Sequence, residues 1–296
     1  RAAFLLLIFM GTHYLMSHNT LRAAFLRLDW IACLVMAVCM LKKDYAKIAG
    51  ALAAWAALSR IFPGIFMFGV GALFTFDLAF RRRFNWRCFS FCAAFGVATV
   101  LLFGFSVWYT GGLSAWREFF DKVGRHNQDL SAWRIGFKYV FLMTYDSTTF
   151  WGVGAQTFFD SYQTLWWGIQ ACVFLACFLV VGRLHPHEAL ALGFVPAYFF
   201  FAPTYYYYVF LMLPMLLFAG RIERPSWGAG LVYIFVTGIV GHICYGWWDR
   251  GFRLFFVMSC LMGVLALYML VLALIESVRG EPPADAAEAE PVPLRT

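Results

Sequence analysis

Residues Ile48 to Phe80 read IAGALAAWAALSRIFPGIFMFGVGALFTFDLAF, an apolar run that is interrupted once, at Ser59 to Gly64. One upright helix needs only about 20 residues to cross a membrane, so the run is too long for a single crossing. An arginine in apolar sequence is costly unless it meets water or a partner, and Pro63 removes a backbone donor. The run therefore predicts a bend at Arg60 that faces water or a polar cavity.

Basic turns flank this run, Lys42 to Lys47 before it and Arg81 to Arg87 after it. Short loops rich in Lys and Arg prefer the cytoplasm. Both observations fit a hairpin of two short helices whose tip, Arg60 to Gly64, lies on the far, non-cytoplasmic side. The alternative is one kinked span followed by an interfacial helix. Asp77 is expected to pair with one of the arginines 81–83.

Composition places the chain among helical membrane proteins. Hydrophobic residues make up 62% of it and charged residues 13%, whereas about a quarter of a soluble domain is charged. Recurring apolar runs predict an all-α, polytopic transmembrane bundle of about ten spans, some of them short or broken. Residues 1–276 form this domain, and residues 277–296, rich in Ala, Pro and Glu, are predicted to be a disordered cytoplasmic tail.

The net charge of +7 lies in short clusters between apolar runs, which fits cytoplasmic turns better than nucleic-acid binding. Phosphate-loop, dinucleotide-binding, zinc-protease and nucleophile-elbow motifs are absent from the sequence. The eight cysteines are isolated within apolar runs, where cysteine usually acts as a small apolar residue. The sequence therefore predicts no metal site and leaves the cofactor unknown.

The longest region without a span is Thr110 to Gln163, which alternation places on the far side. Within it, apolar residues recur at i, i+3, i+4 and i+7, namely Trp116, Phe119, Phe120 and Val123. This spacing predicts a helix over 114–124 that lies in the membrane interface. A dense polar cluster, Arg125 to Asp129, follows it.

Four tyrosines, Tyr205 to Tyr208, follow Pro203 and Thr204. An aromatic belt at the membrane interface is the simpler interpretation. A sugar or lipid site is the functional interpretation, because aromatic rings with hydroxyl tips suit both ligands.

The order of these features resembles the membrane glycosyltransferases of the C-type fold, in particular the branch of unknown function grouped with polyprenol-dependent mannosyltransferases. The matching pieces are F-L-R-L-D-W (25–30), A-G-A-L-A-A-W-A-A-L-S-R-I-F-P-G (49–64), the R-H-N of the long loop (125–127) and P-T-Y-Y-Y-Y-V-F-L-M-L-P (203–214). The resemblance covers most of residues 25–220.

The resemblance implies a multi-pass transferase of the inner (plasma) membrane that works among membrane lipids. It would move a sugar from a polyprenyl-phosphate donor to an acceptor on the non-cytoplasmic face. The residues that would bind the substrate are Arg60, His126, Asn127, Tyr205 and Tyr206, with Arg60 on the donor phosphate.

A far-side carboxylate would deprotonate the acceptor, and Asp29 and Asp129 are the available acids. The family carries this acid in its first far-side loop. Here that loop would lie before Arg1, in a missing N-terminal part, or residues 18–29 stand in for it.

Two other classes stay open. Broken helices near a charged residue are also typical of transporters, so a transporter or flippase for a lipid-linked or small polar substrate is the rival. Inverted repeats and acidic residues deep within spans, which would favour that rival, are not visible in the sequence. A non-catalytic membrane scaffold is the third interpretation.

Overall fold

In a computed structural model, the chain is described over residues 28–128, 134–142, 153–247 and 252–279, and this part is almost entirely helical. The all-α class is therefore confirmed for these residues. Within this described part, five helical segments are long and apolar enough to cross a membrane: Phe62–Ala79, Trp86–Tyr109, Gln163–Val181, Pro225–Cys244 and Arg253–Val278. The number of about ten crossings stays a prediction, as does the side on which each loop lies.

The α-helices follow one another along the chain with short connections. They are α1 (Asp29–Lys42), α2 (Ala46–Ser59), α3 (Met67–Ala79), α4 (Trp86–Tyr109), α5 (Ser114–Gln128), α6 (Phe137–Leu142), α7 (Val153–Ser161), α8 (Gln163–Val181), α9 (Pro186–Leu192), α10 (Phe194–Phe200), α11 (Met212–Ala219), α12 (Pro225–Trp247) and α13 (Phe252–Arg279). Two 3₁₀ helices, Phe62–Phe66 and Tyr205–Leu211, lead into α3 and α11.

The long apolar run is two helices, as the hairpin interpretation predicts. Helix α2 ends at Ser59, Arg60 is extended (φ −150°, ψ 109°), and the 3₁₀ helix that begins at Phe62 carries Pro63 near its start. Proline fits the first turn of a helix but cannot continue α2, because it lacks the N–H that the preceding turn requires. The break therefore separates α2 from α3 at the predicted position.

The outer ends of α2 and α3 lie at one end of the bundle. Asp44, just before α2, pairs with Arg87 near the start of α4 at 2.9 Å. Asp77, near the end of α3, accepts hydrogen bonds from Arg81 at 3.0 Å and from Asn85 at 2.7 Å. The predicted pairing of Asp77 with the arginine cluster is thus confirmed, and Arg60 lies at the opposite end of both helices.

Small residues let α2 pack closely against its neighbours. A Cβ added at Gly50 would lie 2.3 Å from the carbonyl oxygen of Phe91, so the backbones of α2 and α4 are in contact. The alanines of α2 that face this contact and α1 are fully buried, including Ala49 and Ala53. Close approach through glycine and alanine is the common way in which helices associate in membranes.

Two segments of the chain, 186–200 and 205–219, are each built from two short helical pieces. Helices α9 and α10 meet at Gly193, and the 3₁₀ helix Tyr205–Leu211 precedes α11. Pro196 and Pro214 each lie in the first turn of the second piece, where the missing N–H costs nothing. Helix α13 continues to Arg279, beyond the predicted start of the tail at 277, and residues 280–296 lie outside the described part of the chain.

Candidate functional site

A cavity of about 900 Å³ lies at the end of α2. Its size falls in the range of small-molecule sites, about 300–1,000 Å³. The described residues that line it come from the break after α2 (59–62), the second half of α5 (119 and 122–125), Arg134, the segment 201–204 and Tyr207. We call it the basic cavity, because four of these residues are Arg60, Lys122, Arg125 and Arg134 and, within the described lining, none is a carboxylate.

Lys122 forms an ion pair with Glu118 at the rim of the cavity. Its ammonium lies 2.6 Å from a carboxylate oxygen of Glu118, and both side chains are about two-thirds exposed. The hydrogen bond from Lys122, helped by the charges of Lys122 and Arg125, lowers the pKa of Glu118. The lining also contains three arginines, the side chains best suited to hold a phosphate with two parallel hydrogen bonds.

Arg60 has no carboxylate within ion-pair distance in the described part of the chain. Its guanidinium carbon lies 5.9 Å from the ring centroid of Tyr207. Asp29 accepts hydrogen bonds from Trp55 Nε1 at 2.9 Å and from Ser59 Oγ at 3.4 Å. Asp29 and Arg60 do not form an ion pair, and the guanidinium lies beside an aromatic face.

Arg134 is held at the cavity wall by its neighbours. It is 3% exposed, and it forms an isolated antiparallel bridge with Thr204. The backbone after it is fixed at three points: Ile135 N–H donates to Pro203, Tyr208 O–H donates to the Ile135 carbonyl, and Gly136 N–H donates to Ser259 Oγ. The guanidinium of Arg134 is therefore held in the protein interior although Arg134 is not part of a helix.

The predicted amphipathic helix is present as α5, and it supplies one wall of the cavity. Trp116, Phe119 and Val123 are half-buried. The Trp116 indole donates to Ser106 Oγ at 3.2 Å, and its ring lies 4.9 Å from that of Phe103 on α4. Phe119 and Val123 line the cavity together with Lys122, which stays exposed at the rim.

The tyrosine run contributes Tyr207 and not the predicted Tyr205. In a 3₁₀ helix residues i and i+3 share a face, and here Tyr205 (7% exposed) and Tyr208 (0%) are both buried. The Tyr205 ring packs 5.5 Å from Phe255, whereas the Tyr207 ring packs 4.9 Å from Phe62 and lines the cavity. Tyr205 is therefore not part of the described lining of the cavity, and its role in substrate binding stays a prediction.

The structure describes only some of the remaining predicted site residues. Asp29 is the first residue of α1, and its carboxylate accepts a hydrogen bond from Ser59 Oγ. Ser59 lines the cavity beside Arg60, whereas Asp29 is not among the described lining residues. His126 and Asn127 belong to α5 and Tyr206 to the second 3₁₀ helix, and the side chains of all three lie outside the described structure. Asp129 lies outside the described residues altogether.

Sequence reasoning did not select Arg134. The pentapeptide Leu-Ser-Ala-Trp-Arg occurs twice, at 113–117 and at 130–134, and one copy ends in the exposed Arg117 and the other in the buried Arg134. An identical local sequence therefore precedes two arginines in opposite environments.

No protein-family model, curated protein or solved structure matches the chain.

Proposed function

We propose that this chain is a membrane glycosyltransferase that moves a sugar from a polyprenyl-phosphate donor to an acceptor. The observation that carries the proposal is the convergence of Arg60, Arg125 and Arg134, from three separate segments, on a cavity without a carboxylate in its described lining. Guanidinium groups that converge on a cavity favour an anionic ligand, and a phosphate fits their fork geometry.

The rest of the lining favours a ligand with apolar and sugar parts. Phe62, Phe119, Phe201 and Tyr207 line the same cavity as the arginines. Aromatic faces bind both isoprenoid chains and the C–H faces of sugars, whereas an inorganic anion would need neither. The cavity also lies where α2 ends and where the chain leads into α3, and it is beside helices that are apolar enough to cross a membrane. A phosphate that carries both a lipid and a sugar uses all of these surfaces.

In the proposed reaction the acceptor hydroxyl attacks the anomeric carbon of the sugar while the bond from that carbon to the phosphate oxygen breaks. The hydroxyl proton passes to Asp29 through Ser59, whose Oγ accepts it while donating its own proton to the Asp29 carboxylate, and polyprenyl phosphate leaves with the bonding electrons. Arg60 and Arg134 stabilise the negative charge that develops on the phosphate. Asp29 is assigned as the base because Ser59, its hydrogen-bond partner, lines the cavity beside Arg60, and Asp129 is the second acid for this role.

A lipid flippase is the second candidate function. The interruptions between α2 and α3 and between α9 and α10 favour it, because transporters commonly bind substrates at broken helices. A flippase would hold the same phosphate in the basic cavity but would leave its bond to the sugar intact.

Transfer from a polyprenyl-phosphate sugar carrying a radiolabel, measured with purified protein in vesicles, tests the proposal. Arg60→Gln is expected to lower transfer about 10- to 100-fold, because hydrogen bonds to charged groups are worth about 1.5–3 kcal/mol. Arg60→Lys should recover part of the activity, since lysine keeps the charge but loses the fork.

Arg117→Gln is the matched control, because it removes the same charge from an exposed position of α5 outside the cavity lining. Donor that crosses the bilayer without releasing its sugar would favour the flippase. Wild-type transfer by Arg60→Gln would remove Arg60 from the site.

A further inference from the structure

A second cleft, of about 490 Å³, lies at the other end of α2 from the basic cavity. It separates the start of α2 from the start of α4. The residues that line it are Asp44, Tyr45, Ala46, Lys47, Ile48, Trp86, Arg87 and Ser90. We call it the headgroup groove. With 14 residues, α2 holds the two sites about 20 Å apart.

The cations of this groove are incompletely paired. Arg87 binds Asp44 at 2.9 Å through Nη1, while its Nε is buried without a hydrogen-bond partner among the described residues. The Asp44 carboxylate is 76% exposed, so water weakens its hold on the guanidinium. Lys47 has no ion pair with any described residue. The groove can therefore accept a further anionic group on Arg87 and Lys47.

The whole end of the bundle around the groove is positive. The two turns that meet there, 42–47 and 77–87, contain seven cations and two carboxylates, and Asp77 is already bonded to Arg81 and Asn85. Such a field attracts anionic lipids, by about 1 kcal/mol for each Lys or Arg near the surface.

Aromatic residues place the groove at the level of lipid headgroups. Trp86, the first residue of the candidate span Trp86–Tyr109, is 69% exposed, and Tyr45 is 57% exposed. Tryptophan and tyrosine collect where a membrane meets water. From Ser90, the positions i+7 and i+11 on α4 are Val97 and Leu101, which are 60% and 66% exposed. An apolar stripe therefore continues from the groove along the helix.

We propose that the headgroup groove binds an anionic phospholipid, with its phosphate on Arg87 and Lys47 and an acyl chain along α4. The site is independent of the proposed transferase function, because the groove and the basic cavity share no lining residue. Phosphatidylcholine has the same phosphate but a compensating cation, so charge complementarity favours phosphatidylglycerol.

Native mass spectrometry of the detergent-purified full chain, titrated with phosphatidylglycerol or phosphatidylcholine, tests this proposal. Phosphatidylglycerol is expected to bind the wild-type protein more tightly. Lys47→Gln and Arg87→Gln should each weaken that binding about five-fold, which is the effect of one surface cation. Lys47→Gln leaves the Asp44–Arg87 pair in place, so it remains informative if Arg87→Gln fails to fold.

Lys43→Gln is the control for the general positive electrostatic potential at this end of the molecule. Lys43 lies in the same turn as Lys47 but outside the groove lining. Equal loss of binding in Lys43→Gln and Lys47→Gln would overturn the proposal in favour of an unspecific field. Equal affinity for the two lipids, or displacement of phosphatidylglycerol by dilute inorganic phosphate, would also overturn it. Arg60→Gln should leave phosphatidylglycerol binding unchanged, whatever it does to sugar transfer.

Discussion

The guanidinium carbon of Arg60 lies 5.9 Å from the centroid of the Tyr207 ring, so an arginine at a helix break faces an aromatic ring. The ring is itself fixed by Phe62, whose centroid is 4.9 Å away, and by Trp30 at 6.1 Å. A ring face attracts a cation without neutralising it. The arrangement therefore orients Arg60 and leaves its charge available to an anion.

This relationship predicts that the ring of Tyr207, and not its hydroxyl, supports donor binding. Tyr207→Phe keeps the ring face and should leave donor affinity within about two-fold of wild type. Tyr207→Leu should weaken it about two- to five-fold, the equivalent of about 0.5–1 kcal/mol for an exposed cation–π contact. Titration with polyprenyl phosphate measures both variants. Equal damage by the two substitutions would show that the hydroxyl is the group that matters.

Asp29→Asn tests whether Asp29, the first residue of α1, acts as the base in catalysis or only stabilises the fold. The asparagine amide oxygen can still accept the hydrogen bond from Trp55, so the thermal midpoint in detergent should change little. Loss of a general base typically costs about 100-fold or more in rate. Asp121→Asn, at an exposed position of α5, is the control. If folded Asp29→Asn protein transfers sugar at the wild-type rate, Asp29 is not the base.

Arg134→Gln is expected to weaken binding of polyprenyl phosphate about ten-fold or more, because a buried guanidinium binds a phosphate out of competition with water. Arg134→Lys should recover a part of this loss. Arg117→Gln is again the control, since the same four residues precede both arginines. Affinity has to be measured on protein shown to be folded by its melting curve. Unchanged affinity together with a lowered melting temperature would make Arg134 purely structural.

A network at the end of α13 should stabilise the fold. Glu276 accepts hydrogen bonds from Arg221, Arg224 and Trp227, and Arg221 also pairs with Glu188. Burial alone would lower the pKa of Arg221, but Glu188 and Glu276 together raise it above its ordinary value. Its contribution is therefore fully present below the pKa of the unfolded chain, and the guanidinium stays charged throughout the usable pH range.

Glu276→Gln should lower the free energy of unfolding by about 3 kcal/mol, because it leaves Arg221 and Arg224 with one carboxylate fewer in a mostly buried place. Unfolding in detergent measures the change. Glu223→Gln, at an exposed position of the neighbouring turn, should change it by less than about 0.5 kcal/mol. A similar loss in both variants would contradict a specific role for Glu276.

The predicted topology places the basic turns in the cytoplasm and residues 110–163 on the far side. In a variant whose own cysteines are replaced, Thr110→Cys should react with an impermeant maleimide in intact cells. Lys47→Cys should react only after permeabilisation. The reverse pattern would invert the topology and would place the basic cavity on the cytoplasmic side.

Local sequence was sufficient for the features that depend on near neighbours. Apolar length predicted the membrane class, Pro63 predicted the break after α2, and the nearby arginines 81–83 predicted an ion pair of Asp77, which forms with Arg81. The amphipathic pattern predicted α5. Each of these depends on backbone chemistry or on contacts within a few residues, so it could be inferred without knowing what the rest of the chain does.

Tertiary packing alone decided which side chains meet at the basic cavity. Tyr207 lines the cavity, whereas Tyr205 is buried against Phe255 of α13. The two side chains point in different directions because the segment is a 3₁₀ helix. Arg117 and Arg134 follow the same four residues, yet the first is exposed on a helix and the second is 3% exposed. The difference comes from hydrogen bonds to Tyr208 and Ser259, which lie 73 and 123 residues from their partners in the chain. No local pattern contains that information, because the free energy that buries Arg134 comes from distant parts of the sequence.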